Sequence, residues 1–219
     1  MSETILKPDN LIEIAPSPKQ PIRIDLACGQ NKREGFIGCD IYPGANVDMV
    51  VDLQRFPWPW MTSSVDEIHC SHFIEHLEMC YWGKDKKTGE YCHKLIPDSH
   101  EDKELFFAFF DEVHRILKPE GRATIICPAA YDRGFQDPTH RRFIVAATFL
   151  YLSEDWRKAN KLDHYNVKCA FSQELNATYS PLVEGRTEEV KRRMADLYRN
   201  ILLDFVLHLV CKKDDPTKG

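Results

Sequence analysis

Three aspartates stand where short apolar runs end, and their chemistry is the first thing the chain declares. Ile22-Arg23-Ile24-Asp25 leads into Leu26-Ala27-Cys28-Gly29, Phe36-Ile37-Gly38-Cys39 ends at Asp40, and Val50-Val51 ends at Asp52. Strand ends in an open α/β sheet form the rim of a ligand crevice. Carboxylates there accept hydrogen bonds from amine and hydroxyl groups. Such a rim suits a positively charged nucleoside better than a pyrophosphate.

Two further groupings could carry chemistry. His72-Phe73-Ile74-Glu75-His76 matches an H-x-x-E-H zinc pattern, in which His72 and His76 share one helical face and Cys80 continues it. Cys92-His93 could add ligands, since zinc favours His and Cys in tetrahedral geometry. The second grouping is the polar stretch from Arg133 to Arg141, where Asp137 and His140 lie three residues apart. A histidine oriented by a carboxylate is a candidate general base. The plainer reading of this pair is a cap on a helix that begins near Arg141.

Positioning these groups falls to alternating strands and helices. Strands are expected at about 22–27, 36–41, 47–52, 65–70, 122–127, 170–179 and 204–211. Helices are expected at 73–81, 102–117, in pieces over 145–159, and at 187–202. The 102–117 helix carries Leu105, Phe106, Phe109, Phe110, Val113, Ile116 and Leu117 at helical spacing, and Lys118-Pro119-Glu120-Gly121 stops it. Phe56-Pro57-Trp58-Pro59-Trp60 holds two prolines, so it reads as a loop with buried aromatic faces. Residues 82–101 read as an inserted loop and 129–142 as a polar loop. Strand–helix–strand alternation argues for a mostly parallel sheet. Residues 1–20 and 214–219 read as tails around one domain over 21–213.

Composition narrows the partners. At 219 residues the chain has enough interior for one full core, and 43% hydrophobic with 29% charged content is ordinary for a globular protein. A net charge of -5 supplies no general attraction for nucleic acid or anionic lipid. No apolar run nears the roughly 20 residues that span a bilayer, and no signal region opens the chain, so a cytoplasmic protein is expected. The eight cysteines are then expected to be reduced. Cys39, Cys70, Cys127 and Cys211 lie in apolar runs as small buried hydrophobes. No pattern specifies an oligomeric state.

Asp25-Leu26-Ala27-Cys28-Gly29-Gln30 resembles the first motif of class I S-adenosylmethionine-dependent methyltransferases. Gly38-Cys39-Asp40-Ile41 looks like that family's second-strand acid, and Asp52-Leu53 like its adenine-side segment. Ser71-His72-Phe73-Ile74-Glu75-His76-Leu77 is similar to its fourth-strand motif, and Leu117-Lys118-Pro119-Glu120-Gly121-Arg122 to its turn into the fifth strand. The segments occur in the family's order over residues 22–130. The short first connection and Gly35-Phe36-Ile37-Gly38-Cys39-Asp40-Ile41 look most like a subgroup found with surface-sugar genes and in bacteriophage genomes.

The resemblance implies a single-domain, Rossmann-like α/β fold, with helices on both faces of a mostly parallel sheet and a last antiparallel strand. It implies S-adenosyl-L-methionine as cofactor. Small residues Ala27, Cys28 and Gly29 would let backbone approach the methionine end, with Asp25 near its amine. Asp40 would accept both ribose hydroxyls beside Ile41. Asp52 would accept from the adenine amino group, Leu53 would cover the ring, and Ser71 and His72 would face the cofactor. About ten residues separate Asp25 from the second strand, which leaves no room for the family's first helix. Gln30, Asn31 or Lys32 would then hold the cofactor carboxylate from a loop.

The expected activity is methyl transfer to a small molecule, sugar or nucleotide, with His140 as base and Asp137 orienting it. Nucleic acid is not expected as acceptor. The Asn/Asp-Pro-Pro-aromatic motif of amino-directed DNA enzymes is absent, and the Pro-Cys pair of cytosine enzymes appears only reversed, as Cys127-Pro128. Two alternatives remain: an inactive cofactor-binding regulator, and a zinc-stabilised interaction module built on residues 69–93. The primary reading assigns no metal.

Overall fold

The computed structural model describes residues 20–99, 101–130 and 132–214. The expected tail over 1–20 lies outside the described residues but for Gln20, and that over 214–219 but for Asp214.

Seven strands form one sheet in the order β3-β2-β1-β4-β8-β10-β9. They are β1 (Arg23–Leu26), β2 (Ile37–Asp40), β3 (Met49–Val50), β4 (Val65–Ser71), β8 (Leu117–Pro128), β9 (Phe171–Tyr179) and β10 (Leu202–Cys211). β1 pairs in parallel with β2 and β4, β2 with β3, and β4 with β8. β10 runs antiparallel between β8 and β9, as expected for the last strand. Chain order reverses between β1 and β4, which opens a crevice at their carboxyl ends. Asp25, Asp40 and His72 all lie at or beside that edge.

Helix α1 (Leu105–Ile116) connects β4 to β8 after an excursion. Its apolar face sends Leu105, Phe106, Phe109, Phe110, Val113 and Ile116 into one core with Ile24, Ile68 and Ile125. Each such burial contributes roughly 1.5–3 kcal/mol before chain entropy is counted. The aromatic loop is buried as expected. Trp58 is fully enclosed, and its ring meets Phe109 edge-on with centroids 5.4 Å apart.

Several expected boundaries are corrected. The helix expected over 73–81 is a single 3-10 turn, Ile74–His76, because β5 (Tyr81–Lys84) begins where it would continue. The inserted loop is a small antiparallel sheet, in which β5 pairs with β6 (Tyr91–Lys94) and β7 (Lys103–Glu104). Asp85 shapes its hairpin turn by accepting from the backbone N–H of Lys87 and Thr88, both at 2.8 Å. α1 therefore starts at Leu105, capped by Glu104, which accepts from the Phe106 N–H. The polar loop after β8 contains a short helix, α2 (Asp132–Gln136). The helical pieces resolve into a 3-10 turn at Ala146–Leu152 and α3 (Glu154–Ala159), and the last helix, α4, covers only Glu188–Leu197.

All eight cysteines are free, and all but Cys92 are buried. Burial pushes the Cys211 thiol up to about 11, so it stays protonated and behaves as core. Among the described residues no helix is long and apolar enough to cross a membrane.

Candidate active site at the strand carboxyl ends

The β1–β2 connection is a wound loop in place of a helix, and its hydrogen bonds show what holds it. Ala27 and Gly29 both adopt φ near +53°, the left-handed region that costs glycine nothing. The Gly29 N–H donates to Asp40 Oδ2 at 3.0 Å, and the Arg33 N–H donates to Asp25 Oδ2 at 2.8 Å. Asp25 is only 2% exposed, and its other oxygen lies 2.7 Å from Nδ1 of His69. No motif in the sequence marks His69 as a partner, but parallel register sets it directly across from Asp25. Both oxygens of Asp25 thus hold the scaffold at the place where a ligand amine is expected nearby.

Lys32 is likewise spoken for. Its ammonium lies 2.8 Å from Asp48, whose carboxyl it holds below the usual range, with a further hydrogen bond from the Gly38 N–H. A side chain at Gly38 would stand 2.6 Å from the Asn46 carbonyl oxygen, so only glycine lets the loop close there. Asn46 in turn donates to the Gln30 carbonyl. The backbone N–H groups of Gln30 and Lys32 meet no acceptor among the described residues. They, and not the Lys32 ammonium, are free donors beside Gly29.

At the next strand end Asp40 accepts from Gly29 and Tyr42 N–H groups, one on each oxygen. Each oxygen keeps a second lone pair. Ile41 beside it is 50% exposed, an apolar face on the rim. Asp52 accepts from the Gln54 N–H at 3.0 Å and pairs with Arg55 at 3.1 Å. Leu53 is 3% exposed and packs in the core, so its side chain does not stand over the rim as expected.

A cavity of about 560 Å³ opens where β4 and β8 end, lined by His72, Pro128, Arg133, Asp137 and His140 among others. Ser71 is half-buried at the end of β4. His72 has φ +54° and places Nδ1 3.3 Å from Oε1 of Glu75, which raises the imidazole above its ordinary value. His140 Nδ1 lies 2.9 Å from the Gly134 carbonyl, which can only accept, so Nδ1 carries a proton. Asp137 does not orient His140. Its Oδ1 accepts from both the N–H and the hydroxyl of Thr139, and that hydroxyl holds the carboxyl below its usual range. The Thr139 oxygen also lies 3.2 Å from Nδ1 of His76, which links Asp137 to His76 instead.

The cysteines and histidine of the proposed zinc set do not meet. Cys80 is buried in the core, Cys92 sits on β6, and His93 Nε2 donates to the Gln54 carbonyl at 2.7 Å. Another cavity of about 580 Å³, between Phe56, Trp82, Lys103 and Lys168, contains none of the strand-end residues.

No family model matches the chain, and no curated protein sequence does. Solved structures do. A SAM-dependent methyltransferase from Archaeoglobus fulgidus superposes with a TM-score of 0.51 at 18% identity, over 87% of this chain and 86% of that one. This chain has the fold of S-adenosylmethionine-dependent methyltransferases. Lower-scoring matches are a methyltransferase from Mesorhizobium loti (TM-score 0.42, 11% identity, 87% and 91% covered) and Haemonchus contortus phosphoethanolamine N-methyltransferase 2 in complex with S-adenosyl-L-methionine (0.43, 12%, 91% and 50%).

Proposed function

We propose that this chain is a methyltransferase that transfers the methyl group of S-adenosyl-L-methionine to a small molecule, sugar or nucleotide. The observation that carries the reading is Asp40, a strand-end carboxylate with lone pairs to spare beside the exposed face of Ile41. Asp40 accepts the ribose hydroxyls, Asp52 the adenine amino group, and Ile41 packs on the ring. Ala27, Cys28 and Gly29 let the backbone approach the methionine end. The free N–H groups of Gln30 and Lys32 receive its carboxylate, as paired backbone donors receive anions elsewhere. Ser71 and His72 border the sulfonium.

The acceptor enters the cavity of about 560 Å³, a volume suited to a sugar or nucleotide. Resemblance to the surface-sugar and bacteriophage subgroup favours that class, and the cytoplasm is where the donor is made. Sulfonium transfer needs alignment above all, so the chain's remaining duty is to take the acceptor's proton. His140 does so through Nε2, held in that tautomer by Gly134 rather than by Asp137. Residues 21–213 act as one domain, with the small sheet as its insertion.

Titration calorimetry with S-adenosylhomocysteine tests this. The wild-type chain binds it, and Asp40→Ala weakens binding by at least about tenfold, the worth of one charged hydrogen bond. Absence of binding by the wild type, or equal binding by the variant, overturns the reading. With a labelled donor and sugar-nucleotide acceptors, His140→Gln lowers transfer by about a hundredfold or more and leaves product affinity intact.

A further inference from the structure

Glu75 is fully enclosed, and half-exposed His72 lies against it with Nδ1 3.3 Å from Oε1. The Glu75 side chain is 0% exposed, and neither oxygen receives a well-aligned hydrogen bond among the described residues. Burying an unpaired carboxylate is strongly unfavourable unless a cation answers it. Two further histidines face it, and in the neutral form each offers a lone pair. His140 gives its Nδ1 proton to the Gly134 carbonyl, which can only accept, and its Nε2 lies 4.0 Å from Glu75 Oε1. The Thr139 hydroxyl spends its own proton on Asp137, so its oxygen must accept from His76 Nδ1, and Nε2 of His76 is left free. The two rings meet edge-on with centroids 4.8 Å apart.

We propose that Glu75, His76 and His140 bind a divalent transition-metal ion of the zinc type. One ligand atom from each lies within 4.8 Å of the others. Two imidazoles and a carboxylate suit zinc, whereas magnesium and calcium take oxygen ligands. Each imidazole already donates its far N–H to an oxygen, the arrangement that orients metal-bound histidines. Metal–ligand bonds of about 2.0–2.2 Å require the side chains to close together by roughly an ångström, within reach of small rotations. Three protein ligands leave a fourth position open, and His140 places it beside the cavity.

The ion site differs from the H-x-x-E-H reading of the sequence, because His140 arrives from the loop after β8 while Cys80, Cys92 and His93 stay away. It stands on side-chain geometry and not on the methyltransferase reading. If that reading also holds, a bound ion occupies the lone pair with which His140 would take a proton, and its open position meets the acceptor oxygen instead.

The test uses the full-length chain without a histidine tag, stripped with a chelator and titrated with Zn²⁺ by calorimetry, with Co²⁺ absorption as a second readout. One Zn²⁺ per chain binds, and Co²⁺ gives the intense visible bands of a four-coordinate site. Glu75→Gln and His140→Ala each weaken Zn²⁺ binding by at least about a hundredfold, while Cys92→Ser and His93→Ala leave it unchanged. Circular dichroism verifies that each variant is folded. His76→Gln, at a partly exposed position, replaces Glu75→Gln should that one not fold. Failure of the wild type to bind a stoichiometric ion, or binding indifferent to these ligands, overturns the site. S-adenosylhomocysteine titrated into the same samples reports separately on the methyltransferase reading.

Discussion

Asp25 and Asp40 look alike in the sequence, each an acid that closes an apolar run, yet the structure gives them different work. Asp25 is enclosed, with His69 on one oxygen and the Arg33 N–H on the other, so it holds β1 to β4 and pins the loop, whereas Asp40 stays open to the rim. Its replacement by alanine leaves a buried imidazole and a backbone donor without partners, at a cost of about 2–4 kcal/mol. Urea unfolding should show that loss as a lower midpoint with an unchanged slope. A change below about 0.5 kcal/mol would contradict the scaffold role. The positions of both acids were legible because strand periodicity marks where a run ends. Their division of labour was not, because it depends on a histidine forty-four residues away. Asp137 departs from its expected role for a shorter-range reason: it turns back on Thr139 two residues on, a local bond that competes with any reach toward His140.

At the scale of elements, long amphipathic segments were readable and short ones were not. α1 declared itself through six apolar side chains on one face, which the core confirms. The 73–81 segment has a helical pattern too, but pairing of Tyr81 and Trp82 with β6 and β7 ends it after one turn. Non-local strand pairing of this kind overrides local propensity. His114 shows how α1 is tied to the end of the sheet. Its Nε2 donates to the Lys212 carbonyl at 3.1 Å, and its ring meets Phe171 edge-on at 5.3 Å. Burial pushes this imidazole below its ordinary value, with Lys213 adding to the shift and Asp111 opposing it. The unfolded chain therefore takes up the proton first as pH falls. The contribution is complete above about 6.5 and is lost as pH drops towards the lowered value. Thermal melts of His114→Gln, which keeps a donor but does not titrate, should lose less stability than wild type across that window. An NMR titration midpoint for His114 at or above the ordinary value would contradict this.

For the whole molecule, the expectation of a mostly parallel sheet with a final antiparallel strand is met. Strand order itself could not be read, since it follows from which crossovers pack and not from any one segment. That order, reversing between β1 and β4, is what brings Gly29, Asp40 and the β4 end to a common edge. The central claim is that this edge holds an adenosyl donor. A crystal structure of the chain with S-adenosylhomocysteine tests it most directly. Ribose hydroxyls are expected within hydrogen-bonding distance of the Asp40 carboxylate, adenine against Ile41, and the sulfur facing the cavity of His72 and His140. An empty crevice at saturating ligand, or a ligand bound away from these strand ends, would contradict it.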